Sequence, residues 1–535
     1  METPLVTKPQ VDNKANQKER RIKLHKSLAN PVVQSFIYGR SVCIVLLLII
    51  QILLFLIFFL WFNYYIEYFL AIRLFASMLF LIFLINKKEK NEYKLMWLLP
   101  VIILPLFGIS FYILVHFQIA MSKMKVRISQ AAKTPKTRDA NYYATNIPYA
   151  HIHDIVTYLK DTASFPPYTH TSIEYYPSGE AAFPEMIKAL RHAKKFIFLE
   201  YFTLFPGQMW DTILDILLQK RTEGVEVRIM FDGFGCTPIS PRNYQKYLKS
   251  IGLQHVAIFV PIIPIFAAYL NYRDHRKICV IDGKYAFTGG INLSDQYINK
   301  THKYGYWKDT VVRIAGPAVR SFTDMFLDLW NIVTNTKADC KPYVDIRYKK
   351  YDVQGVVIPY SDNAYNDNDI AENVYYYIIT QAKKYVHITT PYVILDNQLM
   401  NALVFASQRG VEVTILVPRT IDHYITFCTG RTFIKSLIDH GIRAYEFTPG
   451  FIHAKMFISD NTTAVVGSIN LDYRSLYDHF EDAVFIYKNP VVAMIESDFQ
   501  KTKAQCTEIT AAVYKKIPLL QRMIGRLFKV FAPLL

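Results

Sequence analysis

Hydrophobic and polar positions follow two different patterns along this chain, and the change comes near residue 118. Before that point apolar residues run almost without interruption, and after it short apolar runs alternate with amphipathic segments. Runs of about 20 apolar residues are long enough to cross a bilayer core of about 30 Å. Amphipathic helices that alternate with buried strands are typical of α/β domains. The pattern therefore predicts a membrane region followed by an α/β part.

The predicted membrane region contains three apolar runs, at residues 41–62, 66–85 and 95–117. The first run has no charged side chain and no small-residue cleavage site after it, so we interpret it as a retained anchor rather than a signal peptide. The third contains Pro100, Pro105 and Gly108, which permit a kinked span or a re-entrant segment. We expect two or three hydrophobic helices within residues 41–117.

Basic segments flank the apolar runs, and they bear on orientation. Residues 1–40 precede the runs, residues 118–145 form a basic linker after them, and "NKKEKNEYK" follows the second run. Cytoplasmic loops collect Lys and Arg, but three full crossings cannot bring all three basic segments to one side. We expect a multi-pass protein of the cell membrane with its catalytic part in the cytoplasm.

The α/β part contains a long internal repeat. "HRKICVIDGKYAFTGGINL", from His275, aligns without gaps to "HAKMFISDNTTAVVGSINL", from His453, at an offset of 178 residues. Upstream, "EGVEVRIMFD" corresponds to "RGVEVTILVP". A period this long indicates two equivalent half-domains rather than a solenoid. We place the halves at residues 146–345 and 346–535 and expect one site shared across a pseudo-twofold interface.

Ionisable residues recur at equal offsets in both copies. His275 and Lys277 lie two apart in an apolar run, so their side chains share one face of a strand. His453 and Lys455 repeat this spacing. Taken singly, such a pair usually marks a solvated face. Because core packing does not need the same ionisable residues at the same offsets twice, the repeat favours a functional interpretation.

Further polar residues follow each pair. Asp282 and Asp460 come at the turn after the strand, and each is followed by a second strand. That strand should bring Asn292 and Asn470 back toward the histidines, with Ser468 beside the latter. An Asp at a turn or an Asn after Gly is often turn chemistry alone.

Two such faces would combine two imidazoles, two ammonium groups and two amides. Lysines and amides suit an anionic tetrahedral group such as a phosphate. One histidine can attack phosphorus while the other protonates the leaving oxygen and then deprotonates an alcohol or water. No acidic cluster resembles a two-metal site, and the six cysteines form no CxxC pair or zinc motif, so we expect no metal.

The net charge of +17 indicates an anionic partner, either nucleic acid or an acidic lipid surface. The apolar N-terminus favours lipid, and nothing resembles a nucleic-acid module. The basic, apolar end of the chain, residues 513–535, reads equally well as an interfacial helix or as a core helix. Residues 256–273, unusually apolar, lead into His275 as a lipid-facing loop or as buried packing.

The repeated residues resemble the phospholipase D superfamily, whose signature HxKxxxxD followed by G[GS]xN occurs twice. Most of the chain resembles the bacterial cardiolipin synthases within it, through "GVEVRIMFDGFG", "YWKDT", "TPYVILD" and "GSINLDYRSLYDHFE". The resemblance implies two α/β halves around one active site and no cofactor. It also implies transfer of a phosphatidyl group between two phosphatidylglycerol molecules, which yields cardiolipin and glycerol.

Residue roles follow from the same resemblance. His275 is the expected nucleophile and His453 the expected acid/base. Glu481 matches an acidic position that would hydrogen-bond a histidine ring, and Asp309 is its substitute in the first half. Glu200 is expected near the site, with a buried structural partner as the alternative. The residues implied to be catalytic are His275, Lys277, Asp282, His453, Lys455 and Asp460; those implied to bind substrate are Asn292, Asn470, Ser468, Glu200 and Glu481.

The chain departs from the family pattern just before Glu481. It has Asp478 and His479 where an Asn more often precedes the Phe-Glu pair. The departure removes no catalytic group. The motifs do not determine which molecule accepts the phosphatidyl group. A phospholipase D hydrolase or another phosphatidyltransferase therefore remains an alternative. A nuclease of the same superfamily and a lipid-binding scaffold are less favoured alternatives.

Overall fold

The structure is a computed structural model. It describes residues 66–116, 126–128, 147–259, 272–337, 339–366 and 368–535, together with a few isolated positions. The basic segment 1–40, nearly all of the run 41–62, most of the linker 118–145 and residues 260–271 of the apolar loop lie outside the described residues.

Three helices precede the α/β part: α1 (Ile66–Asn86), α2 (Asn91–Ile103) and α3 (Pro105–His116). The third predicted run is therefore broken into a hairpin. Its two arms touch, because a Cβ on Gly108 would lie 2.6 Å from the carbonyl carbon of Pro100. Among the helices that the structure describes, none is long and apolar enough to cross a membrane.

The first half is built on a seven-stranded sheet in the order β1-β8-β6-β5-β2-β3-β4. β2, β3 and β4 are parallel, and the remaining pairs are antiparallel. The strands are β1 Ser172–Tyr176, β2 Phe196–Tyr201, β3 Glu226–Asp232, β4 His255–Phe259, β5 Lys277–Ile281, β6 Tyr285–Gly289, β7 Tyr306–Lys308 and β8 Val311–Ala315. The helices are α4 His153–Thr157, α5 Gly179–Arg191, α6 Gln208–Thr222, α7 Pro241–Ser250, α8 Val319–Thr334 and α9 Lys341–Val344.

The second half repeats this topology in an eight-stranded sheet, ordered β9-β16-β15-β14-β10-β11-β12-β17. The strands are β9 Val356–Asp362, β10 Tyr385–Thr389, β11 Glu412–Pro418, β12 Arg443–Phe447, β13 Gly450–Ile452, β14 Met456–Ser459, β15 Thr463–Gly467, β16 Glu481–Tyr487 and β17 Cys506–Glu508. The helices are α10 Ile370–Gln381, α11 Asn397–Gln408, α12 Tyr424–Asp439, α13 Val491–Lys503, α14 Ala511–Lys515 and α15 Leu519–Phe528. β14 and β15 stand where β5 and β6 stand in the first sheet. The prediction of two similar α/β halves is confirmed.

The two halves are joined by pairing and by a common core. β7 of the first half pairs in parallel with β13 of the second. One hydrophobic cluster contains Phe198 and Val280 of the first half with Ile358 and Val465 of the second. The chain segments that carry the repeated motifs therefore meet across an extensive interface.

The N-terminal helices pack onto the second half beside the segment that precedes β16. Tyr93 Oη donates to Asp478 Oδ2 over 3.2 Å, and Lys90 Nζ donates to Glu372 Oε2 over 2.6 Å. Phe531 and Leu534, near the end of the chain, pack against the cluster that contains Trp97. The N-terminal helices and the last residues of the chain thus meet on the second half.

Candidate active site

Each motif histidine is held by the backbone of the opposite half. His275, just before β5, donates its N–H to Phe480 O over 2.8 Å. His453, just before β14, donates its N–H to Lys308 O over 2.7 Å. The two bonds are equivalent, because each accepting residue directly precedes an acidic residue, Glu481 or Asp309.

The carboxylates also cross between the halves. Nδ1 of His275 lies 2.9 Å from both oxygens of Glu481, and Nδ1 of His453 lies 2.7 Å from Asp309 Oδ2. A carboxylate accepts from Nδ1–H and so directs the lone pair of the neutral ring to Nε2. Both rings are therefore oriented with a free Nε2 lone pair, and neither half completes its histidine alone.

The surroundings of the two rings differ. Phe202 lies edge-on to His275, with 5.2 Å between ring centroids, and a second imidazole, His479, lies 5.6 Å from it. Around His453 the neighbours are Trp307 at 5.2 Å and Tyr297 at 5.6 Å. One histidine thus has an additional ionisable neighbour, and the other is enclosed by aromatic rings.

Both motif lysines are buried beside the histidines. Each Nζ donates to the main-chain carbonyl of the histidine two residues before it, Lys277 to His275 and Lys455 to His453. Burial lowers the pKa of Lys277 to about 8 and that of Lys455 to about 7. An anion that enters the site would restore their full charge, so the pair suits a phosphate.

The histidines are neutral at neutral pH. Burial lowers the pKa of His275 well below 6.5, and Lys277, Lys455 and His453 lower it further, so these groups share one site. Burial and Lys455 lower the pKa of His453 to about 4. Burial alone would raise the pKa of Asp309, but the charge and hydrogen bond of His453 hold it below 3.8.

We expect His453 to make the fold labile to acid. The pKa of His453 is about 4 in the folded protein and 6.5 in the unfolded chain. Between these two pH values the unfolded chain binds more protons than the folded protein, so the free energy of unfolding falls as the pH falls. The loss should reach up to about 3 kcal/mol by pH 4. Urea unfolding at several pH values, followed by tryptophan fluorescence, should be less pH-dependent in His453→Gln. An unchanged dependence would contradict a neutral, buried His453.

The motif aspartates lie at the opposite end of the strand from the histidines. Asp282 accepts from the N–H groups of Lys194, Lys195 and Phe196, at 2.9, 2.6 and 3.0 Å. Asp460 accepts from the equivalent groups at 2.7, 2.8 and 3.0 Å. In each copy the aspartate follows its histidine by seven positions, which span roughly 23 Å of extended chain. Both aspartates fasten a strand turn to the start of β2 or β10, and the catalytic role of Asp282 and Asp460 stays a prediction.

Three other residues that were predicted to bind substrate, Ser468, Asn292 and Asn470, differ in their contacts. Ser468 donates to Glu481 Oε2 and so orients that carboxylate. Asn292 accepts from Thr203 N–H at 3.1 Å and donates to Tyr297 Oη at 2.7 Å. Buried Asn470 Oδ1 has no hydrogen-bond partner among the described residues.

Glu200 does not face the histidines. It is fully buried, and its Oε1 lies 2.6 Å from Nε of Arg276. Arg276 occupies the position between the motif histidine and lysine, so its side chain points to the other face of the strand. The ion pair favours the alternative offered for Glu200, a buried structural partner, and its predicted substrate contact stays a prediction.

Two groups, buried Asp482 and half-buried His479, were not predicted as part of the site. Asp482 accepts from the N–H of Lys277 over 3.0 Å and from the Thr288 hydroxyl, which ties β16 to the first half. His479 appeared in the sequence only as a departure from a pattern, and no spacing rule connects it with His275. Its proximity depends on the crossing of the two halves.

Comparison with known proteins shows the family of the chain. The family model described as "Cardiolipin synthase, PLD-like domain" matches residues 186–330 and 375–503. A second model, a phospholipase D-nuclease N-terminal region, matches residues 75–115.

Similar proteins span most of the chain. An uncharacterized protein of Streptococcus mutans is 42% identical over 85% of this chain and 99% of its own length. Cardiolipin synthase 2 of Bacillus cereus is 30% identical over 85% of this chain and 88% of its own length. The crystal structure of a phosphatidylserine synthase of Haemophilus influenzae has a TM-score of 0.53 at 18% identity, over 68% of this chain and 93% of that one. This last similarity concerns the fold.

Proposed function

The chain belongs to the phospholipase D-like cardiolipin synthase family, and we propose that it joins two phosphatidylglycerol molecules into cardiolipin with release of glycerol. The observation that carries the proposal is the crossed pair of histidine–carboxylate contacts, which provides two oriented imidazoles beside two buried lysines. Such a pair matches a reaction in which a phosphoryl centre is attacked twice.

In the first step, Nε2 of His275 attacks the phosphorus of one phosphatidylglycerol. A P–N bond forms, and the bond to the headgroup glycerol oxygen breaks. His453 donates a proton to that oxygen, so free glycerol leaves. The neutral His453 of the empty site acquires this proton when the anionic phosphodiester raises its proton affinity.

In the second step, the roles reverse. His453 takes the proton of a headgroup hydroxyl on the second phosphatidylglycerol, and the resulting oxygen attacks phosphorus. The P–N bond breaks, cardiolipin forms, and His275 is regenerated. Lys277 and Lys455 stabilise the negative charge that develops on the phosphoryl oxygens in both steps.

Product analysis tests the proposal. Purified full-length protein in phosphatidylglycerol vesicles should form cardiolipin and glycerol in equal amounts, measured by mass spectrometry. Phosphatidic acid as the sole lipid product would identify a hydrolase and would overturn the proposal. Lipid binding without turnover would also overturn it, in favour of a scaffold.

We further propose that the N-terminal helices α1 and α2 and the C-terminal helix α15 hold the enzyme at the membrane. Leu520, Met523 and Leu527 on α15 are exposed, whereas Gly525 packs against α12, where a Cβ would lie 2.2 Å from Cys428 O. A helix that buries its small residue and exposes its large apolar ones suits an interface better than a core. Exposed basic residues surround this face and complement anionic lipid: Lys515, Lys516, Arg526 and Lys529.

The N-terminal helices extend the same surface. Ile72 and Phe75 of α1 and Ile102 of α2 are more than half exposed. Because Phe531 and Leu534 contact the Trp97 cluster, the two apolar faces adjoin. A membrane position of this surface brings the second half, onto which the N-terminal helices pack, close to lipid.

A tryptophan at position 520 should report contact with lipid. In full-length protein reconstituted into vesicles, Leu520→Trp should be quenched by brominated phospholipid at least about twofold more strongly than a tryptophan on a water-facing helix. Phe405→Trp on α11, also exposed, is the matched control. Equal quenching at both positions would argue against an interfacial α15.

A further inference from the structure

Three groups that commonly bind transition metals meet beside the proposed nucleophile. His275, His479 and Glu481 each place one ligand atom within 4.8 Å of the other two. Nδ1 of His275 is 2.9 Å from the oxygens of Glu481, and Nδ1 of His479 is 3.5 Å from Oε1. In the described part of the chain, no other three His, Cys, Asp or Glu groups lie this close.

The two-step reaction does not use His479. Its Nδ1 is buried and makes no hydrogen bond with any described residue, although it lies near the Glu481 carboxylate. A buried ring nitrogen without a partner loses the hydrogen bond it would have in water. The position is therefore unexplained by the transfer chemistry alone.

The spacing of the three groups suits zinc(II). Two imidazole nitrogens and one carboxylate oxygen are a common zinc ligand set, with metal–ligand distances near 2.0–2.2 Å. Such distances separate neighbouring ligand atoms of a tetrahedral ion by about 3.3 Å. The two separations from Glu481, 2.9 and 3.5 Å, lie on either side of this value, and the two histidine ligand atoms lie within 4.8 Å of each other, so side-chain shifts would complete three corners.

We propose that His275, His479 and Glu481 form an inhibitory zinc(II) site. The ion takes the place of the proton that His275 shares with Glu481, and that proton moves to Nε2 of the same ring, which stays neutral. A fourth position stays open to water or to a phosphate oxygen.

Zinc at this site would stop the first step, a consequence that rests on the proposed function. A neutral imidazole bound to metal through Nδ1 carries its proton on Nε2. The lone pair that attacks phosphorus is then absent. Glu481, engaged by the ion, also no longer stabilises positive charge on the ring.

The second half offers a contrast within the same molecule. His453 and Asp309 form the equivalent pair, but their neighbours are the rings of Trp307 and Tyr297 rather than a third ligand. We therefore expect one zinc ion per chain, bound at His275 and not at His453.

Calorimetric titration of the metal-free, detergent-solubilised full chain with zinc chloride tests the site. We expect one ion per chain, with affinity reduced at least about tenfold in His479→Asn and unchanged in the control His255→Asn, an exposed histidine on β4. If His479→Asn fails to fold, His479→Gln serves the same comparison. Absence of stoichiometric binding, or equal affinity in a folded His479 variant, would overturn the proposal.

Activity gives a second, separable readout. Zinc should inhibit the wild type reversibly, with recovery on adding EDTA, whereas each His479 variant should keep most of its own zinc-free rate. Zinc bound with His479-dependent affinity but without inhibition would overturn the inhibitory role. Stoichiometric zinc binding in a protein that makes no cardiolipin without zinc would leave the site standing and count against the proposed function.

Discussion

Replacing either motif histidine by alanine should abolish cardiolipin formation, with a loss of roughly 10⁴-fold or more. His275→Ala removes the atom that forms the P–N bond. His453→Ala removes the group that protonates glycerol and then deprotonates the acceptor. The rate of cardiolipin formation in phosphatidylglycerol vesicles measures both effects. Near-normal activity in either variant would refute a single site shared by the two halves.

The two variants should differ in what they trap. With phosphatidylglycerol labelled at phosphorus, His453→Ala should accumulate an acid-labile, base-stable label on His275, because the second step is slower without a base. His275→Ala should carry no label. Label on His453 in the His275 variant would reverse the assignment of nucleophile and acid/base. His255→Ala, which alters an exposed histidine, should behave as the wild type.

Converting Glu481 and Asp309, the carboxylates that contact the motif histidines, to amides should lower activity almost as much. Glu481→Gln and Asp309→Asn preserve shape, but an amide nitrogen facing Nδ1 would favour the tautomer with its proton on Nε2. It would also withdraw the charge that stabilises an imidazolium. We expect kcat to fall about 10²- to 10⁴-fold in each variant, with a smaller change in KM, since the same kind of change in a Ser-His-Asp triad has an effect of this size.

A third histidine–carboxylate pair, partly buried, provides the control. His387 Nδ1 lies 3.0 Å from Glu496, and His387 pairs with Ile458 of β14, toward the end of that strand opposite His453. Glu496→Gln should leave kcat within about twofold of the wild type, since it alters packing but not the reacting groups. If Glu496→Gln lowers kcat as much as Glu481→Gln, the effect is general destabilisation rather than loss of an oriented imidazole.

The internal repeat was sufficient to predict the two α/β halves. A match in register over 178 residues of separation requires two similar folding units, and the alternation of helix and strand determines their class. The identities of His275, Lys277, His453 and Lys455 as a set also follow from the repeat. These four residues come together in one site as soon as the two halves face each other.

The repeat does not by itself tell catalytic from structural residues. Asp282 and Asp460 both form the same turn, with backbone φ of 54° and 52°, in the left-handed region that Asp tolerates. The partner of Glu200 could not be predicted, because the position of a residue in a strand does not identify which neighbour pairs with it. Ordinary strand geometry, with side chains alternating between faces, separates Arg276 and Glu200 from the histidines.

By itself, the sequence determined that this protein has two similar halves, a pair of HxK motifs and apolar N-terminal runs, because local periodicity and internal identity are readable along the chain. Only the tertiary structure decided that Glu481 hydrogen-bonds His275 and that Asp309 hydrogen-bonds His453. It also decided that His479 meets His275 across about 200 residues of sequence. Hydrogen bonds and metal sites depend on atoms a few ångströms apart, and strand pairing between halves, not spacing in the chain, sets those distances.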